Sequence, residues 1–227
     1  MQETGTLVLT RNADATAATP LSANRVLKNT YWLLALTLLF SAATAATSAS
    51  MKLPYPGIML TLIGYFGLLF LTFRLRNSAW GLASIFALTG FMGYTLGPIV
   101  SRYLAMPNGH QVVMMAMGST AAIFLGLSAY ATSSRRDFSF MGVFLTAGII
   151  VAFLAGLGAI FFEIPALSLV VSAAFVLLMA GLILYETSQI IHGGETNYIL
   201  ATISLYVAIF NLFTSLLQLL GILESND

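Results

Sequence analysis

The 227 residues carry nine Lys and Arg against eight Asp and Glu, a net charge of +1, and only 7% of positions are charged while 59% are hydrophobic. A water-exposed domain carries roughly 25% charge, so this chain cannot clothe a soluble surface and its exterior must face lipid. The absence of cysteine excludes disulfides, thiol catalysis and thiolate metal sites; His110 and His192 are too few for a histidine metal centre, and no clustered basic face invites nucleic acid.

Residues 1–29 are polar and rich in Thr and Ala, too poor in apolar side chains to fold alone, and are expected to form a flexible tail. Seven apolar runs follow, at 30–50, 57–73, 79–100, 111–131, 140–161, 167–190 and 198–223. Each is near the ~20 residues a helix needs to cross the hydrocarbon layer. The runs are continuous rather than alternating, so they predict helices and not barrel strands. Polar breaks separate them: "KLPYPG" (Lys52 to Gly57), "RLRNS" (Arg74 to Ser78), "MPNGH" (Met106 to His110), "SSRRDFS" (Ser133 to Ser139), "FEIP" (Phe162 to Pro165) and "HGGETN" (His192 to Asn197). Residues 224–227 form a short C-terminal tail, and no fixed-period repeat is found. The fold class expected is an all-α integral membrane protein, a seven-transmembrane-helix bundle.

Lys and Arg mark the cytoplasmic side of membrane helices. Arg11, Arg25, Lys28, Arg74, Arg76, Arg135 and Arg136 fall on one side, and only Lys52 and Arg102 on the other. This predicts a cytoplasmic amino terminus and an outside carboxyl terminus. The first run, with Ala43, Thr44 and Ala45 after an apolar stretch, also has the look of a cleavable signal peptide. The amino-terminal region is long for one, however, and small residues also serve close helix packing. An uncleaved helix is the expectation.

Chemistry-bearing groups are sparse. No HExxH motif, intramembrane aspartate pair or phosphate-cradling glycine loop is present, and Ser128 in "GLSAY" has no histidine at membrane depth to serve as its base. No enzyme, cofactor or metal site is expected. Glu186 stands out: it lies inside the sixth run, where an ionisable group is costly and tends to have a partner or a function. Arg74 and Arg76 end the second run on the same side, so a Glu186–Arg74 or Glu186–Arg76 pair would make a proton-sensitive latch. An interfacial glutamate that reaches water is the plainer alternative. On the seventh run Ser204, Asn211, Ser215 and Gln218 share one helical face, with Ala208 in its middle. That face is expected to point inward, as interhelical glue or as an internal polar pathway. Gly93 and Gly97 form a GxxxG before Pro98, a close-packing signature, and Tyr31, Trp32 and Trp80 read as interfacial anchors.

The stretches "GYTLGPI" (Gly93 to Ile99), "RRDFSFMG" (Arg135 to Gly142), "LILYETSQIIHGGETNYI" (Leu182 to Ile199) and "SLYVAIFNLFTSLLQLLGIL" (Ser204 to Leu223) resemble the Bax inhibitor-1 family of seven-helix membrane proteins. With "NRVLKNTY" (Asn24 to Tyr31), "HGGETNYI" is similar to its bacterial YccA-type subgroup, plasma-membrane proteins that modulate the membrane protease FtsH. The resemblance implies contact with the FtsH complex. For the wider family it implies a pH-sensitive calcium or cation leak, gated by two acidic residues on the last two helices and an arginine on the second. The first acid falls on Glu186, the arginine on Arg74 or a neighbour, and the second acid on Ala208, where no carboxylate is present. Without it the pair cannot share a proton, and calcium lacks a hard oxygen ligand. A regulator therefore takes precedence over a channel.

Overall fold

The structure, a computed structural model, describes residues 20–225. Among the described residues seven helices follow in order: α1 Pro20–Ser50, α2 Ile58–Leu75, α3 Trp80–Leu104, α4 Gly109–Ser134, α5 Gly142–Phe161, α6 Pro165–His192 and α7 Tyr198–Ser225. A single 3₁₀ turn, Ser139–Met141, precedes α5. All seven are long and apolar enough to span a bilayer.

The ends depart from expectation at two places. The first helix starts at Pro20 rather than near residue 30, because Val26 and Leu27 pack against the core and Thr30 is fully buried, giving its first turns a face to bury. The rest of the expected tail, residues 1–19, lies outside the described residues. At the other end α7 continues through Glu224, whose Oε1 accepts a 2.6 Å hydrogen bond from Asn108 Nδ2; residues 226–227 lie outside the described residues.

Successive helices reverse direction, so Arg25, Lys28, Arg74, Arg76, Arg135 and Arg136 gather at one end of the bundle, here called the basic face. The seventh helix is the axis. It packs on α1, α3, α4 and α6 and is the most deeply buried of the seven. By contrast α2 leans chiefly on α3 and α5 on α6, and both turn most of their side chains outward.

The α1–α3 seam shows why small residues recur in the first helix. A Cβ placed on Gly93 would lie 2.0 Å from Thr44 Oγ1 and 2.3 Å from Ser41 O, and one on Gly97 would lie 2.6 Å from Ser48 Cβ. The GxxxG of α3 is thus pressed against the backbone of α1, which explains the stretch that resembles a cleavage site. Pro98 completes the joint. It has no N–H to give to Tyr94 O one turn back, and Ser48 Oγ supplies the missing bond at 2.9 Å. In lipid, where no water can serve, such a freed carbonyl needs a protein donor.

Candidate functional site

Two hydrogen-bonded knots organise the basic face. Asn197 caps α7: its Oδ1 accepts from the N–H groups of Ile199 (3.0 Å) and Leu200 (3.3 Å). Its Nδ2 donates to Arg76 O (3.2 Å) and Asn77 Oδ1 (2.9 Å), tying the end of α2 to the start of α7. The second knot closes α6. Gly193 takes the left-handed conformation (φ 77°) that ends the helix. His192 places Nε2 3.0 Å from Arg135 O and Nδ1 2.9 Å from Ser188 O. Ser188 Oγ accepts from the Phe138 N–H (3.0 Å) and donates to Arg136 O (3.2 Å), so the α4–α5 loop is pinned to α6. In that loop the Ser139 hydroxyl and the Ser139 backbone N–H both bond to Asp137, holding its carboxyl below the usual range.

Glu186 lies one to two turns inside this face, half-buried on α6. Its carboxyl stands beside Ser204 of α7, and Glu195 of the α6–α7 loop is its electrostatic neighbour. Glu195 in turn accepts a 2.6 Å bond from the Asn197 N–H. The pairing expected with Arg74 or Arg76 is not made. Both arginines are exposed, and α2 packs against α3, away from α6. The structure therefore brings together Glu186 and Ser204 and leaves Arg74 and Arg76 at the rim.

Along the polar stripe of α7 Ser204, Asn211 and Gln218 are half-buried and Ser215 is buried, and the stripe is interrupted. Ala208 is fully buried and sits in an apolar layer with Met179, Ile183 and Leu212. Asn211 spends its side-chain N–H on its own helix, at Val207 O (2.8 Å). Ser215 is buried, and Gln218 bridges to α6 by donating to Ser168 Oγ (2.6 Å) and accepting from Ser172 Oγ (2.8 Å). The face thus holds two separate polar contacts with hydrocarbon between them. Tyr206, which lies off this stripe, is a third. It is 1% exposed, and its hydroxyl lies 2.6 Å from Ser41 Oγ and 3.3 Å from Thr89 O, joining α7 to α1 and α3. A tyrosine in mid-helix was its one sequence signal.

The family described as inhibitor of apoptosis-promoting Bax1 matches residues 23–225. The chain belongs to the Bax inhibitor-1 family. Among its relatives is the Escherichia coli K12 protein named modulator of FtsH protease YccA, 53% identical over 201 residues, 88% of this chain and 91% of that one. An uncharacterized Pseudomonas aeruginosa protein is 59% identical over 202 residues (89% and 91%). A Vibrio cholerae membrane protein is 48% identical over 208 residues (91% and 93%). Family membership agrees with the seven apolar helices.

Proposed function

We propose that this protein is an inner-membrane modulator of the FtsH protease, restraining it by direct contact, with its amino terminus in the cytoplasm and its carboxyl terminus in the periplasm. The observation that carries the reading is the closed layer around Ala208. Where a gating pair would place its second carboxylate, the bundle holds a fully buried methyl group among Met179, Ile183 and Leu212. A path for a hydrated cation would need oxygen ligands at that level. The kinship with the Escherichia coli modulator, over nearly the whole of both chains, supports the same choice. The excess of cations on the basic face supports the orientation.

The test begins with residues 1–19, which lie outside the described residues. A chain lacking residues 2–19 should still accumulate in membranes but should no longer slow FtsH turnover of another membrane substrate. Unaltered slowing by the shortened chain, together with failure of the full chain to recover FtsH after crosslinking in membranes, would sink the proposal.

A second reading, a proton-sensitive cation leak, draws on the Glu186–Ser204 contact inside the membrane. Liposomes decide it. Calcium or monovalent flux that changes with pH in the wild type and loses that response in Glu186→Gln would favour the leak over the regulator.

A further inference from the structure

Among the described residues α1 and α4 meet lightly, with Tyr31 and Phe124 edge to face at 6.1 Å between ring centroids. The two helices share no extensive packing, and a groove of about 590 Å³ opens between them in the half nearest the basic face. This volume falls within the ~300–1,000 Å³ of small-molecule sites. Leu34, Ala35 and Leu38 line one wall, and Leu125 and Ala129 the other. Two hydroxyls in these walls, Ser128 Oγ and Tyr31 Oη, have no hydrogen-bond partner, and Ser128 is only 6% exposed. A buried polar atom in an apolar wall costs free energy unless a partner reaches it.

The mouth of the groove is cationic. Lys28 lies one turn before Tyr31 on the same face of α1, with Arg25 three residues earlier. Across from them Thr132 and Ser133 end the groove wall, and Arg135 and Arg136 follow immediately. All four cations are exposed, and Arg135 is held as the left-handed cap of α4 (φ 49°) with its carbonyl fixed by His192. The nearby carboxylate, Asp137, is engaged by Ser139.

We propose that this groove is a site for an anionic phospholipid. One acyl chain lies between α1 and α4, an ester oxygen takes the hydroxyl hydrogens of Ser128 and Tyr31 after a rotamer change, and the phosphate rests on Lys28, Arg135 and Arg136. The cations at the mouth choose an anionic headgroup over a zwitterionic one. The apolar walls choose a lipid over free phosphate.

The experiment is native mass spectrometry of the full chain in mild detergent, given equimolar phosphatidylglycerol and phosphatidylcholine. The wild type should retain phosphatidylglycerol preferentially. The double variant Arg135→Gln, Arg136→Gln should lose about fivefold in that preference per cation removed. Ala129→Trp should fill the groove and abolish retention, whereas Ala121→Trp, exposed on the same helix but outside the groove, should not. Ser128→Ala should weaken retention while leaving the lipid-free protein as stable or more so, since it deletes an unpartnered hydroxyl. Equal retention of both lipids, retention that survives Ala129→Trp, or displacement by excess inorganic phosphate would each overturn the assignment. So would crosslinks from groove residues to another protein helix in place of lipid.

Discussion

Replacing Gly93 by alanine adds one methyl group at the tightest point between α1 and α3. The new carbon would stand 2.0 Å from Thr44 Oγ1 and 2.3 Å from Ser41 O, where ordinary contact needs roughly 3.5 Å. Thr44 can turn away, but the Ser41 carbonyl belongs to the backbone and cannot. The helices must then separate by about 1 Å, which also strains the Ser48–Tyr94 bond one turn further on. Overpacking a filled interior costs about 1–3 kcal/mol, and the backbone contact places Gly93→Ala near the upper end. Gly126→Ala is the matched control: nothing lies within 4 Å of its would-be Cβ, so helix propensity should leave it neutral or slightly more stable. Reversible unfolding in mixed micelles, followed by circular dichroism, measures both. Adding Thr44→Ala to Gly93→Ala should recover part of the loss and no more, because the carbonyl remains. Equal stability of Gly93→Ala and the wild type would refute the seam, and would equally be the result if the first helix were cleaved from the mature chain.

Three other outcomes follow from the same contacts. Ser48→Ala removes the donor that serves the carbonyl freed by Pro98, and should cost about 1–3 kcal/mol in the same unfolding assay, since that carbonyl is left without a partner. Tyr206→Phe removes only a hydroxyl bridging α1, α3 and α7; interhelical bonds in membranes average about 0.6 kcal/mol, so its loss should be small but measurable. Asp137 has a carboxyl whose folded value is depressed by Ser139, so its support of the α4–α5 loop is complete above the ordinary value of 3.8 and is lost as pH falls through the lower folded one. Limited proteolysis at this loop with an acid-active protease should therefore accelerate at the acid end of its range in the wild type, while Asp137→Asn should be cut readily throughout.

The spans were legible because hydropathy and the breaker residues write them directly: six of the seven helices begin within a few residues of the expected positions. The seventh case, the first helix, starts early because Val26, Leu27 and Thr30 are too few to register as an apolar run yet suffice to dock against a neighbour. Helix adjacency was less legible. Arg74 and Arg76 share an end of the bundle with Glu186, but nothing in the apolar runs says that α2 leans on α3, which leaves the arginines at the rim and Glu186 with Ser204. The spacing of Ser204, Asn211, Ser215 and Gln218 puts them on one stripe of α7, and Ala208 in its middle is buried. Tyr206 escaped that reading because α7 is surrounded, so a single stripe describes only part of what it buries.

The central place of α7 bears on how the bundle is assembled. Helices enter the bilayer in chain order, so the axis around which α1, α3, α4 and α6 are arranged arrives after all of them. Until it does, Ser41 and Thr89 have no tyrosine hydroxyl between them, Glu186 has no serine, and Ser168 and Ser172 have no glutamine. The six-helix intermediate therefore displays unpaired polar groups within the membrane. Its lifetime is set by the insertion of one final segment.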